Sequence, residues 1–205
     1  MKLYSQIQNL VQELEEDFSS ISSERKQDLA LFAEKIKESI QQFEKAKVIV
    51  ICTHNSRRSH LGQVWLRVAA NKYNLPIETF SGGTEATAFH PNMVAALQTA
   101  GFQVEETSSG ENPRYQITIS EEDNNQEQLF SKVYSDEYNP QENFIAVMVC
   151  TEADGGCPFV AGSVARLALP YTDPKYADGT SEEKEAYQKT LKEIGKEMLY
   201  TASLV

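Results

Sequence analysis

VIVICTHNSRRSH, residues 48–60, decides the fold. Val48 to Ile51 is a β-branched run with no polar alternation, the pattern of a short strand buried on both faces. Small and polar residues follow, and a helical pattern starts near Ser59 and runs to about residue 73. A cysteine therefore ends a core strand while a helix N-terminus points back at it, where amide hydrogens converge and an anion is welcome. Strand, loop and helix in that order predict an α/β domain with a parallel sheet.

The rest of the chain extends this reading in both directions. Downstream, Pro76 punctuates before a strand at Ile77–Phe80, Ser81-Gly82-Gly83 reads as a turn, and His90-Pro91 as the start of a helix through about Ala100. Phe102–Val104 reads as a further short strand. Residues 107–142 are polar and form an insertion whose one strand-like run is Tyr115–Ile119. Phe144–Val149 is the next core strand, Arg166–Leu169 a final short one, and Ser181 opens a C-terminal helix with Leu191, Ile194 and Met198 inward. Upstream, Leu3, Ile7, Leu10, Val11, Leu14 and Phe18 recur at helical spacing. After the break at residues 19–23, Ser22 or Ser23 caps a second helix with Leu29, Phe32, Ile36, Ile40 and Phe43 along one side. The expected organisation is a helical hairpin over residues 1–45, packed on the main domain or pairing two copies, followed by a catalytic domain over 46–205.

Bulk properties narrow the function. A net charge of −11 over 205 residues argues against non-specific nucleic-acid binding and against a polybasic membrane surface. No apolar stretch approaches the roughly 18–20 residues that span a bilayer. Three cysteines are too few, and odd in number, for a secreted disulfide framework, which points to the cytoplasm. Cys52, Cys150 and Cys157 lack a C-x2-C pair and the three histidines are not at ligand spacing, so no metal is expected.

Cys52-Thr53-His54-Asn55-Ser56-Arg57-Arg58-Ser59 is C-x5-R followed by serine. Five intervening residues let the chain curl so that successive amides face inward as an anion nest, and the nest with the helix dipole favours the cysteine thiolate. Arg58 can give an oxyanion two parallel hydrogen bonds, which lysine cannot copy. Ser59 can donate to the sulfur, and Asn55 suits the left-handed turn such a curl requires.

This stretch resembles the nucleophile loop of the low-molecular-weight protein tyrosine phosphatases and of the thioredoxin-coupled arsenate reductases that share their fold. The resemblance implies a three-layer domain around a mostly parallel four-stranded sheet. It implies that Thr53, His54, Asn55, Ser56, Arg57 and Arg58 cradle the oxyanion and that Cys52 is the nucleophile, supported by Ser59. Asp173, in Tyr171-Thr172-Asp173-Pro174, matches the general acid of both families. Cys150-Thr-Glu-Ala-Asp-Gly-Gly-Cys157, running into Pro158, looks like the redox pair of the reductases. That implies Cys150 as the first partner of Cys52 and Cys157 as the resolving thiol, with thioredoxin or another thiol as external reductant and no bound cofactor.

There are departures. His54 stands where the loop usually has glycine, Arg57 precedes the key arginine, and Lys175-Tyr176 follows Asp173-Pro174 where phosphatases carry tandem tyrosines. Ser81-Gly82-Gly83-Thr84 is similar to the family's Ser-Ala-Gly segment, with Gly83 able to approach the nucleophile loop. The leading expectation is an arsenate reductase. The first alternative is a phosphatase acting on phosphate monoesters through a phosphocysteine. The second is a non-catalytic oxyanion or redox sensor whose hairpin and insertion bind a partner.

Overall fold

A computed structural model describes residues 1–124, 127–156 and 159–205. Four parallel strands form the central sheet: β1 (Ala46–Cys52), β2 (Ile77–Gly83), β6 (Phe144–Met148) and β7 (Ser163–Ala168), in the spatial order β2-β1-β6-β7. Every pairing in it is parallel. All of β6, and all of β1 except Lys47, is buried, so the sheet is covered on both faces, as the unbroken apolar runs require.

A second, three-stranded antiparallel sheet of β3 (Gln103–Ser108), β4 (Arg114–Thr118) and β5 (Gln128–Leu129) stands apart. The run at Phe102–Val104 thus joins the insertion's hairpin instead of the core sheet. Its alternation is too short to indicate which partner it takes. Ser81-Gly82-Gly83, expected as a turn, continues β2 to its end, with Gly83 opposite Cys52 in register.

Helix α1 (Ser5–Glu16), α2 (Ser23–Phe43), α3 (Arg58–Tyr73), α4 (Pro91–Thr99), α5 (Thr151–Gly156) and α6 (Glu183–Ser203) complete the fold. The Ser22 hydroxyl accepts from the Arg25 amide at 3.1 Å and starts α2 as expected. Ile7, Val11, Leu14, Leu29, Phe32 and Ile36 are buried in the same continuous core as the sheet strands, so the hairpin's apolar stripes face the chain's own interior. Lys192 and Lys196 of α6 reach Glu13 and Asp17 at 2.7 Å each and fasten the hairpin's other side. Helix α3 lies close on β1 because Gly62 has no side chain there: a Cβ would sit 2.7 Å from a Val50 methyl. That contact fixes where the N-terminus of α3 points. Among the described residues no helix is long and apolar enough to cross a membrane.

Candidate active site

The loop from Cys52 to Arg58 is built from the outside. The carbonyls of Cys52 and Thr53 accept from the amides of Thr84 (3.1 Å) and Glu85 (2.8 Å). His54 O accepts from the Ser131 hydroxyl at 2.8 Å, and Ser56 O from the His90 amide at 2.9 Å. A trans peptide sets each N–H opposite the preceding C=O. Turning these four carbonyls outward therefore turns the amides of Thr53, His54, Asn55 and Arg57 inward. Gly83 makes the fit possible, since a Cβ there would lie 2.6 Å from Thr53 O and 2.8 Å from Asn55 N.

Asn55 takes the left-handed conformation, φ 44°, and is fully buried. Its Oδ1 accepts from the Lys132 amide at 2.9 Å, which directs its Nδ2 to Ser59 Oγ at 2.8 Å. Ser59 Oγ thereby acts as acceptor for Asn55, and its own hydrogen is free for Cys52 Sγ at 3.1 Å.

Arg58 is buried and spans the space over the loop. Its guanidinium donates to Tyr171 O and to Asp173 Oδ2, both at 2.8 Å. The other Asp173 oxygen accepts from the Lys175 amide at 3.1 Å and caps a short 3-10 turn over Pro174–Ala177. Cys52, Thr53, His54, Ser56, Arg57, Arg58 and Asp173 line one narrow cleft with a free volume of about 10 Å³. The Arg57 side chain donates to the Tyr187 hydroxyl (2.9 Å) and Asp178 (3.3 Å), and its Nε lies 4.0 Å from Asp173 Oδ1 at the cleft. Desolvation pushes Tyr187 up to about 12, so it stays a protonated donor, to Asp178 at 2.7 Å. His54, half exposed at the rim, faces Glu85 at 3.7 Å.

Cys150 follows β6 and is wholly buried. Its sulfur lies 3.3 Å from Thr53 Oγ1 and accepts from the Ala153 amide at 3.4 Å. The second thiol thus abuts the residue next to Cys52, and both are free. Cys157 lies outside the described residues.

Sequence reasoning missed four parts of this arrangement: the Tyr171 carbonyl, the Ser131–Lys132 segment, the Arg57–Tyr187–Asp178 cluster and His60. The first two act through backbone or a short polar side chain and leave no residue-type signature. His60 is fully buried under the loop, its Nδ1 3.2 Å from Ser81 Oγ and its ring stacked 4.0 Å from Phe89. Burial, with Lys132's charge adding to it, holds its pKa well below the usual histidine range.

No protein-family model matches the sequence. The arsenate reductase of Halalkalibacterium halodurans is 29% identical over 154 residues, spanning 74% of this chain and 91% of that protein. The Bacillus subtilis arsenate reductase is 28% identical over 149 residues, 72% of this chain and 88% of that one. The chain is similar in sequence to arsenate reductases over about three quarters of its length. Its fold is that of the low-molecular-weight phosphatases. A phosphotyrosine phosphatase of that class from Vibrio cholerae superposes with a TM-score of 0.50 at 16% identity, covering 76% of this chain and 93% of the other. In this chain the Cys52–Arg58 loop lies between the first strand of the four-stranded parallel sheet and the following helix.

Proposed function

We propose that the chain reduces arsenate to arsenite through three thiols. Cys52 attacks arsenic, and the arsenate hydroxyl leaves as water with a proton from Asp173. Inward amides and Arg58 hold the remaining oxygens, once the guanidinium exchanges Asp173 for the guest. Cys150 then attacks Cys52 Sγ. The sulfur–arsenic bond breaks, its electron pair stays on arsenic, and arsenite departs as the two thiols become a disulfide. Cys157 attacks Cys150, releasing Cys52, and an external dithiol of the thioredoxin class reduces the Cys150–Cys157 disulfide. Such a relay suits a reducing compartment such as the cytoplasm.

The observation that carries this reading is the second buried thiol, 3.3 Å from the Thr53 hydroxyl and held by the Ala153 amide. Hydrolysis needs no such group, because water resolves a phosphocysteine. The relatives named above support the same choice. A phosphatase is the second reading, favoured by Asp173 standing 2.8 Å from Arg58, where an ester oxygen would leave.

Multiple-turnover assays with arsenate and with p-nitrophenyl phosphate separate the two. For a reductase, Cys52→Ser, Cys150→Ser and Cys157→Ser each abolish arsenate turnover, and mass spectrometry of wild type after arsenate finds a disulfide. If the two distal variants keep full rate on the phosphate ester and wild type leaves arsenate unreduced, the phosphatase reading replaces it.

A further inference from the structure

We propose that the N-terminal hairpin positions the oxyanion site, with Arg25 as its positioning residue. This rests on the reading of Cys52 and Arg58 given above. Arg25 sits in the first turn of α2, its amide held by Ser22. Its Nε donates to both carboxylate oxygens of Glu197 on α6, at 3.0 and 2.9 Å, and its outer nitrogen lies 2.8 Å from Glu197 Oε2. That same nitrogen donates to Pro170 O at 3.4 Å, and the guanidinium covers the Tyr171 ring, 4.9 Å from its centroid.

Tyr171 is where hairpin and site meet. Its ring is buried beneath Arg25, its amide donates to Val149 O at 3.1 Å, and its carbonyl receives Arg58 at 2.8 Å. Two residues later the same segment presents Asp173. A shift of Tyr171 would therefore turn Arg58 and move the acid together. Side-chain exposures of 17% for Arg25 and 8% for Glu197 mean that both charges are largely desolvated. Apolar residues of similar volume would fill that space at no loss of stability. What an apolar pair lacks is the fork that bonds to Glu197 and Pro170 O while its face covers the Tyr171 ring.

The test compares wild type with Arg25→Ala, Arg25→Lys and the double variant Arg25→Leu/Glu197→Leu, measuring thermal stability and inorganic phosphate affinity by calorimetry. Arg25→Ala strands the Glu197 charge and is expected to lose both. The double variant is expected to regain stability, yet to bind phosphate about tenfold more weakly than wild type, the scale of one lost charge-assisted hydrogen bond. Arg25→Lys falls between. A double variant with wild-type phosphate affinity overturns the positioning role while leaving the oxyanion site intact. Wild type that binds no phosphate removes the site itself, and the positioning role with it.

Discussion

The loop carrying Cys52 and the segment carrying Asp173 meet at Arg58, yet they are held by different means. Residues 52–58 are fixed largely through their own backbone: four carbonyls are engaged from residues 84, 85, 90 and 131, and Gly83 admits no side chain between. Residues 170–178 are fixed mainly by long side chains, those of Arg25, Arg57, Arg58 and Tyr187. Backbone-held loops keep one shape, whereas a side-chain contact can be exchanged for a guest. The difference teaches that the cradle is preformed, and that admitting an oxyanion means prying Asp173 from Arg58.

Asp173→Asn strikes only the side-chain-held segment. It is expected to slow the chemical step about a hundredfold by removing the proton donor. It is also expected to tighten phosphate binding about threefold, because the competing carboxylate on Arg58 is gone. Calorimetry and single-turnover rates check both halves; weakened binding would mean that Asp173 supports the guest instead of competing with it.

Gly83→Ala strikes the backbone-held loop. The added methyl meets Thr53 O and Asn55 N, neither of which is free to withdraw. A loss of about 2 kcal/mol of unfolding free energy is expected, as for an overpacked interior. Phosphate affinity should fall with it. Urea unfolding measures the first, and wild-type stability would show that the loop yields more readily than its hydrogen bonds suggest.

His60, beneath the cradle, gives the smallest and most selective effect. Its folded pKa lies well below 6.5, so the neutral ring is the folded form. The stability it contributes is therefore complete above about pH 6.5 and declines as the pH falls below it. One proton limits the slope to about 1.4 kcal/mol per pH unit. In urea unfolding between pH 7.5 and 5.5, His60→Phe should show the flatter dependence, the phenyl ring keeping the stack on Phe89. Parallel curves would contradict it.

Legibility in the sequence follows the same division. β1, the cysteine at its end, the left-handed Asn55 and the Ser59 donor were readable from residues 48–60, because local sterics and helix-terminus chemistry set them. The Asp-Pro pair was readable by resemblance. For Arg57, residue type marks a cation near an anion site but not the partners of its side chain, which Tyr187 and Asp178 supply from 130 and 121 positions away. Ser81–Gly83 reads as a turn by composition, and strand pairing overrides that preference. Arg25 carries no local signal, since its partners lie on the far side of the chain at Pro170, Tyr171 and Glu197.

The most direct measurement is a crystal structure of the reduced protein grown with phosphate or arsenate. A tetrahedral ion is predicted over Cys52 Sγ, ringed by the amides of the loop, with Arg58 bonded to the ion and released from Asp173. An ion bound elsewhere, or Arg58 still paired with Asp173 beside an empty loop, would contradict the account.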